Sequence, residues 1–435
     1  MFLPTGLNSS SNHLYMAFLV SMCLLPFSTG GGKGSDSVVI TFALPFLLLL
    51  SIFIVYNLTT AREKASYPNE IRFSIFYALL HVFSIFISSL MNQSLTAAFA
   101  RSIFHLFGFT IFLYIVSNSS MSKNATLVYN KISMILIFSG FLMSVYFIGN
   151  FVFAIQQNSL EQVLLERGNG GLLSLPWGAS NTIAACLMMP FFLALDRIIN
   201  TRYVKKIGIK STVFMVFIIA VAILITQSRN VIVVLSIGLP LIGIFTKNKK
   251  SVLVILMLIA AVVFAVVSFS GQDFDGIVAA RIGDRAEDVS GFNGRTFIWE
   301  ESILYFSTHP LQPVGYFGML DEIGHTAHNI FITTLIEQGA LGLIAYILFL
   351  FDNFLFCFKK MSTQYLSLIT KKRIVLYLVA MLSILVQYQF EDSNFTAPNI
   401  IYQWVFISLM YLSVYSDIQY SESRVPQYSL PPAKD

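Results

Sequence analysis

Long apolar runs separated by short polar joints recur over most of the 435 residues. Each run of about 18–22 residues matches the helix length needed to cross a hydrocarbon core of about 30 Å. The pattern predicts an all-α polytopic membrane protein of about twelve spans. They fall at 13–29, 38–57, 71–90, 97–117, 130–153, 179–197, 211–227, 230–246, 251–270, 328–351, 374–391 and 399–416. Only Gln227, Ser228, Arg229 and Asn230 interrupt the stretch 211–246. A single helix there would rise about 54 Å, too far for one crossing, so the polar quartet predicts a turn.

The joints are uneven. Most have no room for a domain, but two outward loops stand out, one from Gln156 to Gly178 and a larger one at 271–327. The chain therefore divides into spans one to nine (1–270), one large periplasmic loop (271–327), spans ten to twelve (328–416) and a cytoplasmic tail (417–435). The tail is rich in Pro and Ser and predicts no fixed structure. In the large loop, Phe297, Ile298, Ile303, Leu304 and Phe306 recur at helical spacing. They predict a short amphipathic helix on the membrane surface over Arg295–Ser307, ended by Pro310 and Pro313. No internal repeat is visible.

Composition agrees with this pattern. With 56% hydrophobic and 11% charged residues, the chain cannot cover its apolar surface as a soluble domain. The apolar start "LYMAFLVSMCLLPFSTGGG" lacks the basic region of a signal peptide and reads as the first membrane helix. Cys23, Cys186 and Cys357 form neither a disulfide framework nor a zinc spacing.

Charge orients the chain. Most of the 27 Lys and Arg residues fall on one side of the spans, which makes that side cytoplasmic, with both termini on it. The net charge of +5 thus follows from topology and calls for no nucleic-acid partner. Left over on the outer side are Lys33, Arg101, Arg167, Arg229, Arg281, Arg285 and Arg295. Nearly all are arginine, whose planar fork of donors suits phosphate and carboxylate, so the outer face predicts anion recognition. Arg229, at the junction of spans seven and eight, is costly near a membrane and is a functional candidate on that ground. Arg101 could instead snorkel to the interface.

Two of the six histidines, His325 and His328, stand at the mouth of span ten. If the helix begins at His328, the positive end of its dipole keeps the ring neutral, the state a general base needs. A histidine marking the water–membrane boundary would look the same in sequence. His325 could share a metal with His328, but His309, Asp321 and Glu322 are poorly spaced to complete the set, and no metal site is predicted. At about 100° per residue, Gly339 returns to the face of His328 three turns deeper. Gly342 follows on that side, leaving room for a close helix or a chain-like ligand. Glu337 points to the opposite face, about 13 Å down, and reads as a tie to another helix.

Three stretches carry a family resemblance: "SRN" at 228–230, "GRTFIWEESILYFSTHPLQPVGYFG" from Gly294, and "AHNIFITTLIEQGALG" from Ala327. Over about Thr226 to Phe351 the chain resembles the bacterial O-antigen ligase and polymerase superfamily, polytopic glycosyltransferases acting on polyprenyl-diphosphate-linked sugars. His328, Asn329, Gly339 and Gly342 fit the ligase-type pattern. The ligase Arg-x3-Leu does not recur, since the residues four after Arg281, Arg285 and Arg295 are Arg285, Val289 and Trp299.

The resemblance implies a GT-C-like helical fold in the bacterial inner membrane, with its active site facing the periplasm. The implied donor is a glycan on polyprenyl (undecaprenyl) diphosphate. The acceptor is a second lipid-linked repeat for a polymerase, or lipid A–core for a ligase. Membrane lipids and a chain-length regulator are the further partners, and no cofactor or metal is expected. His328 would act as base with Arg229 and Arg295 beside the leaving diphosphate, while Arg281, Arg285, Arg101, His325 and Asn329 would bind substrate. A transporter of the same lipid is the rival reading. It predicts charged or helix-breaking residues near the midplane, whereas the polar residues here gather at the outer ends.

Overall fold

The structure, a computed structural model, describes residues 9–29, 40–60, 69–92, 95–121, 125–166, 171–200, 206–246, 295–310, 313–364, 366–390 and 396–422. The predicted span at 251–270 lies outside these residues, as do Arg167, Arg281 and Arg285. Every other predicted span falls on a helix. The N-terminal helices are α1 (Ser9–Leu24), α2 (Leu44–Thr60), α3 (Asn69–Ser89), α4 (Leu95–Met121), α5 (Ala125–Gln157) and the short α6 (Leu160–Leu165). After them come α7 (Ser180–Ile199), α8 (Lys206–Ile225) and α9 (Arg229–Thr246). The last five are α10 (Arg295–Thr308), α11 (Met319–Ile323), α12 (Ile330–Met361), α13 (Leu368–Gln387) and α14 (Ala397–Glu422). Two antiparallel two-residue pairs are the only strands among the described residues, Ser28–Thr29 with Ile40–Thr41 and Ser174–Leu175 with Gly178–Ala179.

The chain is a multi-pass membrane protein. Among the described residues, seven helices are long and apolar enough to cross a membrane, and three shorter apolar helices accompany them. A bilayer offers the backbone no water, so each crossing must satisfy its own amides and carbonyls within a helix. Burial separates central from peripheral spans: 89% of the apolar window is buried in both α7 and α14, against 39% in α8. Small residues set the close contacts. Gly108 of α4 makes room for the Trp404 indole of α14, and Gly140 of α5 admits Pro190 of α7. Outward-facing Phe53, Phe73, Phe83, Phe214 and Ile244 remain exposed, as expected of side chains that face lipid.

One end of the bundle, called inner because the basic residues predict it on the cytoplasmic side, is held by buried charge. Arg373 belongs by sequence with the basic joint Lys371–Lys372, yet it is only 6% exposed. Its Nε donates to Asp196 Oδ1 and Oδ2 at 3.1 and 3.0 Å. Tyr129 donates to the same carboxylate at 2.9 Å and Asn200 at 2.6 Å. The guanidinium also lies 4.3 Å from the centroid of the Tyr129 ring. These contacts join α5, α7 and α13. Nearby, Lys360 of α12 pairs with Glu70 of α3 at 2.5 Å, and Tyr415 of α14 donates to that carboxylate at 3.2 Å.

The expected unstructured tail needs correcting at its start, because α14 runs on to Glu422. Within this extension, Asp417 accepts a 2.6 Å hydrogen bond from the backbone N–H of Ser367, the N-cap of α13, which ties the two helices together. Residues 423–435 lie outside the described residues.

Removing one member of a buried ion pair strands the other. Asp196→Ala is expected to destabilise the protein by about 3–5 kcal/mol, and pairing Asp196→Leu with Arg373→Met to restore most of that. Thermal unfolding in detergent measures both, and an unchanged melting temperature in Asp196→Ala would contradict the role given to the pair.

Candidate functional site

The polar quartet does end a helix. α8 stops at Ile225 and α9 starts at Arg229, joined by a turn in which Gln227 has φ 50°. Thr226 closes the turn, donating to Ile223 O at 2.5 Å and accepting from Ser228 N at 3.3 Å. α7 ends at the inner Asp196 cluster, and α8 returns past Gly140 and Pro190. The α8–α9 turn, with Arg229, is therefore at the outer end.

His328 is not in the first turn of a helix, contrary to expectation. α12 begins two residues later, with Asn329 as its N-cap: Asn329 Oδ1 accepts from Phe331 N at 3.0 Å and from Ile332 N at 3.2 Å. An N-cap asparagine satisfies amides that have no partner within the helix, which starts the span there. The backbone is held on both sides of the histidine. Trp299 Nε1 donates to Ala327 O at 2.8 Å, and Ile330 N donates to Tyr388 O at 2.9 Å. Asn329 Nδ2 also reaches Gln389 Oε1 at 3.1 Å, tying α12 to the end of α13. Thr326 Oγ1 lies 3.3 Å from His328 Nε2.

The ring is neutral for a different reason than the helix dipole. Burial pushes the His328 pKa down to about 4, and the nearby Arg295 guanidinium adds to the shift. Both disfavour the imidazolium, one by removing solvent and the other by repulsion. Arg295 is thus near enough to act on the His328 ring through its charge. Arg295 opens α10, and Trp299, one turn on, anchors that helix to the residue before His328. The predicted surface helix exists, but its apolar side chains divide. Ile298 and Phe306, with Trp299 and Tyr305, pack on Val314, Met319, Ala327 and Ile336, whereas Phe297, Ile303 and Leu304 are exposed.

The helical-wheel placement of Gly339 also fails. Gly339 has φ 73° and ψ −177°, so α12 breaks there into two segments. That backbone conformation is open almost solely to glycine. Two carbonyls beside the break find partners outside the helix: Ile336 O accepts from Val314 N at 3.0 Å, and Glu337 O accepts from Ser88 Oγ. Pro313 lies against the break, 3.8 Å from where a Gly339 Cβ would sit.

The loop Pro313–Gly318 is therefore packed among the helices. Gly315, at φ 94°, lies so near Asn92 that a Cβ would come within 2.6 Å of its backbone nitrogen. Asn92 Nδ2 donates to Tyr316 O at 2.8 Å, and the buried Tyr316 hydroxyl is 3.0 Å from His105 Nε2. His105 in turn stands edge-on to His81, with ring centroids 6.1 Å apart. Arg101, predicted to bind substrate, lies 3.3 Å from the centroid of the Phe317 ring. Glu337 is buried, at 3% exposure.

His325 is exposed, and no group of three or more His, Cys, Asp or Glu residues gathers among the described residues. Sequence reasoning gave no role to Trp299, Tyr316, His105 or Gln389. A tryptophan four residues after Arg295 and a histidine inside an apolar run were the available signals.

Backbone strain points to the same region. Among the described residues, the non-glycine positions with positive φ are Gln227, Phe317 and His328. One adjoins Ser228 and Arg229, one faces Arg101, and one is the proposed base. Such conformations cost about 1–3 kcal/mol and cluster at functional sites.

No curated protein matches the chain. The family associated with the match found is one of O-antigen ligase and glycosyltransferase activity in polysaccharide assembly. Residues 214–347, which hold Arg229, Arg295, His328 and the Gly339 break, match the model of the family described as O-Antigen ligase, so the resemblance drawn from the sequence holds over that segment.

Proposed function

We propose that the chain transfers a glycan from polyprenyl (undecaprenyl) diphosphate to a sugar hydroxyl at the periplasmic face of a bacterial inner membrane, as an O-antigen polymerase. What supports this reading is that Trp299, one turn after Arg295, bonds the carbonyl of Ala327 next to His328 at 2.8 Å, while burial and the Arg295 charge both lower the pKa of the His328 ring. His328 takes the proton of the acceptor hydroxyl as its oxygen attacks the anomeric carbon. The bond from that carbon to the diphosphate breaks, and its electron pair leaves with the diphosphate. One displacement inverts the centre. Arg295 and Arg229, with Arg281 and Arg285, stabilise the negative charge on the leaving group, so the reading calls for no metal or other cofactor.

An imidazole with a pKa of about 4 is a weak base until substrate arrives. The donor diphosphate, bound beside Arg295, offsets the guanidinium and favours the imidazolium, which strengthens the base in the complex where it is needed.

The polymerase reading rests on the missing Arg-x3-Leu. A ligase reading is favoured by the description of the matching family. Purified protein given a polyprenyl-diphosphate glycan, with lipid A–core and a second lipid-linked repeat as competing acceptors, decides between them. Elongation of the lipid-linked repeat is the expected outcome.

In the same assay His328→Ala should lose about 10²–10⁴-fold in rate while still binding the donor lipid; wild-type turnover would remove His328 as the base. The pH profile makes a separate demand. The base acts only when neutral, so activity falls as pH drops through its pKa. The acid limb of kcat/KM, which reports the free protein, should lie near pH 4. That of kcat, which reports the donor complex, should lie at higher pH. Arg295→Gln should move the kcat/KM limb upward, though not to the ordinary 6.5, because burial is the larger cause. Coincident limbs for kcat and kcat/KM would mean that the diphosphate does not bind beside His328.

A further inference from the structure

The outer ends of α9 and α13 hold two buried polar groups that the transfer mechanism leaves unused. Gln387, the last residue of α13, has no exposed surface, and neither its Oε1 nor its Nε2 has a hydrogen-bond partner. Ser228, immediately before α9, is equally buried, and its hydroxyl is also without a partner. An unpaired buried amide is costly, because it has lost its bonds to water and gained none in return, so such a group calls for an explanation.

Its position supplies one. Val379 and Ser383 of α13 meet Gly238 of α9, 3.3 and 3.1 Å from where a Cβ would sit. Gln387 is one turn beyond Ser383 on the same face, about 6 Å further out, so it lies on the side of α13 toward α9. Its chain neighbours Tyr388 and Gln389 are bonded to Ile330 and Asn329, the two residues after His328. Gln387 therefore stands at the depth of the proposed base, on the side where α9 begins with Arg229.

We propose that Gln387, with Ser228, forms a hydrogen-bonding subsite for a sugar hydroxyl, an inference that rests on the glycan-transfer reading. The chemistry of the amide selects this ligand class. A diphosphate only accepts hydrogen bonds and would leave Oε1 unmet, whereas a hydroxyl both donates and accepts and matches both ends of the amide. The hydroxyl belongs either to the sugar next to the donor diphosphate or to the acceptor.

Gln387→Met keeps the length of the side chain and removes both polar atoms. In the full-length protein it should raise the apparent KM for one glycan substrate about tenfold, as loss of one ligand hydrogen bond does. Affinity for polyprenyl diphosphate without sugar should be unchanged, and the melting temperature equal or higher, because an unmet buried amide is gone. Titrating donor at saturating acceptor, and the reverse, tells which sugar is bound. Both KM values within about twofold of wild type would overturn the subsite whatever the melting temperature does. So would weakened binding of the sugar-free carrier. If Gln387→Met melts too early to assay, Ser228→Ala should raise the same KM, and no change there is also a refutation. Failure of the wild-type protein to transfer any polyprenyl-linked glycan would instead defeat the transfer reading itself.

Discussion

A backbone amide or carbonyl inside a bilayer has no water to bond with, and this constraint shapes the whole chain. It makes the crossings helical. It also explains how α12 can break at Gly339, since the carbonyls of Ile336 and Glu337 are taken by Val314 N and Ser88 Oγ. The Pro313–Gly318 loop is thus the local substitute for helix hydrogen bonds. Because that loop also packs Tyr316 against His105 and Phe317 against Arg101, the break, the loop and α4 form one unit. The segment Ile330–Gln338 leads from this unit back to Asn329 and His328.

Low polarity also sets the electrostatics. The same burial that makes an unpaired charge expensive keeps His328 neutral. At the inner end the expense is met by pairing: Asp196 holds Arg373, and Glu70 holds Lys360. At the outer end it is not met by protein alone, for Ser228 and Gln387 stay unpartnered and, among the described residues, three that are not glycine have positive φ. The molecule is therefore stitched at one end and strained at the other, the distribution expected when a site is held in geometry that the fold alone would not choose.

Much was readable from the chain itself. Run length and hydropathy located the apolar helices within the described residues, and the polar quartet Gln227–Asn230 marked the α8–α9 turn. These features depend on local sequence and on the thickness of a bilayer, which are known before any fold is. The motif around Arg229, Arg295 and His328 was likewise legible, and the family match over residues 214–347 supports it.

What the tertiary structure decided was non-local. Helix periodicity placed His328 inside α12 and Gly339 on its face; Asn329 instead caps the helix, and an outer loop stabilises the break. Arg373 looked like a topology marker until Asp196, far away in sequence, proved to be its partner. The Arg295 helix is held near His328 by Trp299, which reaches across the chain to Ala327. In each case a side chain's role is set by a group brought to it by packing. The sequence by itself determined which segments form apolar helices, because length and hydropathy are properties of each segment alone. Which charges meet, and which stay unpaired, required the assembled bundle.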